Sequence, residues 1–179
     1  MFRDAGQTLE DFAYTMYVRC PQCARCAYVI RIISPEDALP APGTPGEKYA
    51  RIFHSRKLSC LHCGHTKIWN CYAYGIVQSR VTRDYHGVVQ SRWPYDWYFH
   101  RPLWLQTPCC GEILWAFNAE HLTFLEQYVT AKQRARPYVQ TGARNRTIAS
   151  RLPFWFKSAK NRDTVLKGIT QLKALLAQR

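Results

Sequence analysis

With 179 residues, 47% of them hydrophobic and 14% aromatic, the chain is long and apolar enough to bury a core as one domain, or as one domain with an appended segment. The opening stretch "MFRDAGQTLEDFAYTMYVR" carries early acids and no apolar run of leader length, and no later stretch reaches the length of a membrane span, so a soluble, cytoplasmic protein without membrane contact is expected. The formal net charge of +13 is unevenly placed: twelve of the 25 Lys/Arg but only one of the 12 acids, Asp163, lie from Lys132 onward, which points to a polyanionic partner, nucleic acid or an acidic protein.

In chain order, "AYTMYVRC" and "CAYVIRII" flank the first cysteines with strand-forming residues and read as a hairpin. Residues 34–47, "SPEDALPAPGTPGE", hold four prolines and two glycines, so they form an exposed insertion rather than an element. "KYARIFHSRKLSC" returns as a strand and "HTKIWNCYAYGIVQSR" leaves as another. "YDWYFHRPLWLQT", with Trp97, Phe99, Leu103 and Leu105 at even spacing, and "GEILWAF" read as two more. The period then changes. Asn118 is a candidate N-cap for a helix carrying Leu122, Leu125 and Val129 and running to about Arg134, before Pro137. "RPYVQTGARNRTIAS" is a basic connector, and Pro153 bounds a short aromatic segment, "LPFWFKSAK". A last helix starts at Asn161 with the stripe Val165, Ile169, Leu172 and Leu176. Strands first and helices after make an α+β protein: a β domain over 1–117 and a basic helical segment over 118–179.

The cysteines carry the most specific signal. Cys20-Pro-Gln-Cys23 and Cys60-Leu-His-Cys63-Gly64 are two CxxC turns, each between strand-like stretches. Two such turns can present four thiolates to one tetrahedral ion while backbone amides point at the sulfurs, so Cys20, Cys23, Cys60 and Cys63 are the expected ligands of a structural Zn2+. Gly64 supplies the backbone freedom that closing the second turn needs, and Ala24 stands in the equivalent place of the first. A ferredoxin-type set lacks its further cysteine, because position 30 is Ile30. A thioredoxin-like pair would sit between a strand and a helix, not between strands. Cys26 is spare, and Cys71, Cys109 and Cys110 form no second knuckle, although a second metal using them with His62, His65 or His100 stays open.

With "CPQC" and "CLHCG" set among strands, residues 14–80 resemble a zinc ribbon of the kind first named for transcription factor IIB. The 36 residues between the knuckles exceed a compact ribbon's spacing, and the Pro-rich insertion accounts for much of the excess. "GEILWAFNAEHLTFLEQYV" and "LPFWFKSAKNR" are similar to small bacterial zinc-ribbon-containing proteins of unassigned function, some labelled as replication-restart helicases. The resemblance implies a zinc-ribbon-like antiparallel sheet followed by two to three C-terminal helices, with nucleic acid as the default partner, and it names no reaction.

Catalytic signatures are absent from the sequence. No GxxxxGK[ST] loop or GxGxxG occurs, so no nucleotide cofactor is expected, and HExxH, GxSxG and the HxE…PCxxC deaminase pattern are missing too. Four thiolates leave zinc no open position for water, so the metal serves the fold and the protein is expected not to be an enzyme. Four thiolates around zinc also add about −2, which brings the 131 residues before Lys132, formally +2, close to neutral.

The C-terminal region combines cations with flat rings. Arg144, Arg146, Arg151, Lys157, Lys160 and Arg162 are interleaved with Tyr138, Phe154, Trp155 and Phe156, a mixture suited to phosphates and stacked bases. The expected function is therefore non-enzymatic binding of DNA or RNA through this region. The alternative is a protein-binding adaptor or immunity-type inhibitor, with "WPYDWYFHRPLW" as its dry contact surface.

Overall fold

A computed structural model describes residues 1–32, 54–70, 94–131, 134–135 and 147–179. The Pro-rich insertion lies outside these residues, as do Cys71, Tyr138, Arg144 and Arg146. The protein is α+β: a four-stranded antiparallel sheet followed by C-terminal helices. By its contacts the chain divides into two compact units, Ala13–Trp104 and the pair of segments Met1–Phe12 and Leu105–Arg179.

In the first unit β1 (Thr15–Arg19), β2 (Cys26–Arg31), β3 (Arg56–Ser59) and β4 (Thr66–Trp69) form an antiparallel meander in that order. The strand alternation read from the sequence sorts the side chains. Met16 faces Val29 and Val29 faces Leu58 across the strands, and with Val18 and Ala27 they make one fully buried face. Met16, Val18, Val29 and Leu58 each contribute about 1.5–3 kcal/mol by leaving water.

Residues 94–104 cover that face, and here the expected strand is absent. Trp97–Phe99 is a turn built on the Asp96 carboxylate, which accepts from the amides of Tyr98, Phe99 and Arg101 at 2.9, 2.7 and 2.6 Å. An aspartate that satisfies three local amides favours a turn over a ladder. Burial pushes the Asp96 carboxyl up from its usual range, while these amides favour the charged form. Within the described part of "WPYDWYFHRPLW", residues 94–104, Trp97, Tyr98 and Leu103 are buried and belong to the core, not to the contact surface expected of the stretch, while Tyr95 is exposed. Tyr98 lies over the buried Arg56, whose guanidinium is 4.6 Å from the ring centre and donates to the carbonyls of Ala13 and Tyr14 at 3.1 and 3.2 Å. Leu103 bridges Val18, and Trp104 donates to the Tyr17 carbonyl at 2.8 Å, so this segment lies along the outer edge of β1.

The second unit holds the hairpin β5 (Leu105–Cys109) and β6 (Glu112–Ala116), then α1 (Ala119–Thr130), and finally α2 (Arg162–Ala177). Short helices at Leu9–Phe12, Ile148–Arg151 and Phe154–Lys157 and a two-residue parallel pairing of Phe2–Arg3 with Arg134–Ala135 complete it. The hairpin belongs to this unit because it packs against α1 and α2. Asn118 caps α1 as expected, its side chain accepting from the His121 amide at 2.9 Å and donating to the Phe12 carbonyl at 2.7 Å. The helix ends at Thr130, four residues short of expectation, because Ala131 turns to an extended conformation ahead of the pairing at Arg134. Val165, Ile169 and Leu172 of α2 are fully buried, and Leu176 is half-buried. Gly168 lets α2 approach the hairpin: a Cβ there would lie 2.9 Å from Leu114 Cδ2.

Candidate metal centre and basic surface

The two knuckles share one local geometry. In the first, the Cys20 amide bonds the Arg25 carbonyl at 2.8 Å and the Ala24 amide bonds the Cys20 carbonyl at 3.0 Å. In the second, Cys60 with His65 and Gly64 with Cys60 repeat those bonds at 2.9 and 3.0 Å. Ala24 and Gly64 take the same left-handed conformation, with φ of 58° and 74°. The departure from glycine in the first knuckle is thus accommodated as backbone strain. Gln22 donates its amide to Cys20 Sγ at 3.4 Å, the amide-to-sulfur contact that steadies a thiolate.

Because β2 pairs β3, the knuckle before β2 meets the knuckle after β3. Cys20 Sγ lies 3.6 Å from Cys63 Sγ and Cys23 Sγ lies 3.6 Å from Cys60 Sγ, and all four sulfurs are within 4.8 Å of one another. Sulfurs at the corners of a tetrahedron with metal–sulfur bonds of about 2.3 Å sit about 3.8 Å apart. The four thiols therefore fit one ion in a site consistent with a zinc ribbon. Burial opposes ionisation of Cys60, but hydrogen bonds from the Cys63 and His62 amides and from neighbouring thiols outweigh it and bring its pKa down to about 7. At Cys63 the His65 amide favours the thiolate, yet burial and the Cys23, Cys20 and Cys60 thiols push it up to about 12. Four thiolates this close repel one another, and a divalent cation removes that conflict.

Cys26 is buried in β2 and stands outside the cluster. Cys109 and Cys110 lie 3.8 Å apart at the turn of the other hairpin, and among the described residues they join no group of three or more metal-binding side chains. His62 Nδ1 is 3.2 Å from Arg25 Nη1, linking the knuckle tips instead of entering the site.

The expected nucleic-acid residues divide. Arg151 and Lys160 are exposed, and Phe154 between them is 84% exposed. Lys157 Nζ donates to the Ser150 carbonyl at 2.7 Å, and Arg162 donates to the Thr130 carbonyl at the C-terminal end of α1. Both of these cations have a local structural task, since the carbonyls at a helix end have no partner within the helix. Arg144 and Arg146 lie outside the described residues. Phe156 is buried, and Trp155 is half-buried.

Within the first 131 residues, which are close to neutral as a block, the strands are basic. Residues 13–32 and 54–70, which hold the four strands, contain Arg19, Arg25, Arg31, Arg56, Lys57 and Lys67 and no acid. The acids that balance the first 131 residues lie elsewhere in the chain.

An antiparallel sheet carrying a four-cysteine metal-binding cluster, with helices following it, is the class these features define. Set against known protein families, curated proteins and solved structures, the chain matches none. No helix among the described residues is long and apolar enough to cross a membrane.

Proposed function

We propose that the chain is a zinc-stapled, non-enzymatic protein that binds nucleic acid through its basic C-terminal region, in a reducing compartment such as the cytoplasm. Zinc suits four thiolates better than magnesium or calcium, which take oxygen ligands. With all four positions taken by sulfur, the ion serves the fold. The observation that carries the partner is the exposed Phe154, set between the exposed Arg151 and Lys160. An exposed aromatic ring in a stretch of chain that also carries exposed cations suits the base-plus-phosphate chemistry of a polynucleotide. Arg144 and Arg146 belong to the same stretch of sequence and add to its field.

The test is fluorescence-anisotropy binding of mixed-sequence single- and double-stranded oligonucleotides from low to physiological salt. Binding with a log–log salt slope of several units, reduced by about 1.4 when Arg151 and Lys160 are both reversed to glutamate, supports the reading for a single strand. Absence of binding at low salt refutes it.

A further inference from the structure

The solvent face of the four-stranded sheet departs from the usual rule for antiparallel sheets, in which the outward positions are polar. Two cross-strand rows make up most of it. One runs Thr15–Ile30–Lys57–Ile68 and the other Tyr17–Tyr28–Ser59–Thr66, with Arg19 beyond them on the same face. Ile30 and Ile68 are 37% and 61% exposed, with Lys57 between them. Tyr17 and Tyr28 stand directly opposite one another, ring centres 5.4 Å apart, and both are half-buried. Arg19 is exposed, its guanidinium 5.9 Å from the centre of the Trp104 ring. Residues 13–32 and 54–70 contain no carboxylate, and among the described residues none stands on this face. Subtracting the charge of a four-thiolate zinc site from the six basic side chains leaves about +4.

We propose that this face is a second nucleic-acid surface, on which a single strand stacks its bases against Tyr17 and Tyr28 while Arg19 and Lys57 meet its phosphates. The proposal rests on the nucleic-acid reading above, but not on the C-terminal region. Charge selects the partner: the cations on this face, Arg19 and Lys57, have no carboxylate beside them among the described residues of the face, so it repels basic peptides and attracts a polyanion. Spacing selects the single strand. The tyrosine row, the Ile30–Lys57 row and Arg19 follow one another at about 6.7 Å along the strands, roughly twice the base rise of a duplex, so a base on the tyrosine pair and its neighbouring nucleotides reach successive rows only when splayed off a single chain.

The experiment uses the full, zinc-loaded chain and a fluorescein-labelled oligothymidylate at low salt, with a 5-iodouracil version for photo-crosslinking and peptide mapping. Crosslinks within residues 14–31 or 57–69 are expected. Lys57→Glu should weaken binding and lower the salt slope by about 0.7 or more, and Tyr28→Leu should raise Kd about tenfold while Tyr28→Phe leaves it near wild type. Each variant is first checked for one bound zinc and an unchanged near-ultraviolet circular dichroism spectrum. Crosslinks confined to residues 144–162, with Lys57→Glu binding as wild type, would overturn this proposal and leave the C-terminal reading standing. Binding that survives Arg151/Lys160 reversal but falls with Lys57→Glu would uphold it and overturn the other. A wild-type chain that binds no oligonucleotide removes both.

Discussion

Replacing Cys63 with serine removes one thiolate from the cluster and leaves the other three in place. The metal is a cross-link between knuckles: Cys23 and Cys60 face each other at 3.6 Å across a sequence separation of 37. Treated as a covalent link closing a loop of that length, it restricts the unfolded chain by about 4 kcal/mol. That is a large part of the roughly 5–15 kcal/mol that holds a domain folded. Serine is a harder, less acidic ligand than cysteine and does not restore the fourth bond to zinc. The expected result is a chain that loses most of its metal at equal free zinc and melts roughly 15 °C or more below the wild type. Cys26→Ser is the control, because Cys26 sits three residues from Cys23 yet stands outside the cluster. Metal content by mass spectrometry and thermal unfolding followed in the near-ultraviolet, where the buried Trp69 and Trp97 report, give the readouts. A Cys63→Ser chain that keeps one equivalent of zinc and the wild-type melting temperature refutes the reasoning, as does a wild-type chain refolded with excess zinc that binds none.

The knuckle backbones provide a paired test. Ala24→Gly relieves a left-handed alanine and should stabilise by up to about 1 kcal/mol, while Gly64→Ala should cost about the same in a denaturant titration. A Cβ at Gly64 meets no atom within 4 Å, so that cost is conformational, and effects of the same sign from the two changes would contradict the shared geometry. His121 is buried neutral: burial lowers its pKa to about 3, and its Nδ1 accepts from the Phe117 amide at 3.2 Å. Its unfolded form takes up a proton below about 6.5, so its contribution is complete above that pH and falls by about 1.4 kcal/mol per unit as pH drops toward 3. His121→Gln should be less stable at neutral pH and lose this part of the acid sensitivity; an unchanged pH profile would sink the assignment. Arg162→Ala should lower the melting temperature by several degrees through the Thr130 carbonyl and change oligonucleotide affinity little, whereas Lys160→Glu should do the reverse. Matching effects of the two on affinity would show that Arg162 also meets the partner.

Local chemistry alone determined the knuckles, the strands around them, the Asn118 cap and the stripe of the last helix. A CxxC turn, a capping side chain and a 3.6-residue period each act within a few residues, so neighbours in sequence suffice. Tertiary structure decided what depends on distant partners. Even spacing of Trp97, Phe99, Leu103 and Leu105 suggested one strand, but Asp96 could satisfy three amides in a turn and the sheet needed a cover, so Trp97 and Tyr98 went inward and the strand starts at Leu105. Lys157 and Arg162 look like any other cations in sequence, and only the fold brings carbonyls of other helices to them. Sequence supplied four thiols in two pairs, and strand pairing across 37 residues brought their sulfurs within 4.8 Å. Pairing of the first strand with the second lined up Tyr17 with Tyr28, and pairing of the second with the third lined up Ile30 with Lys57. A surface made of residues from several strands exists only after register is fixed, because register alone decides which side chains share a face.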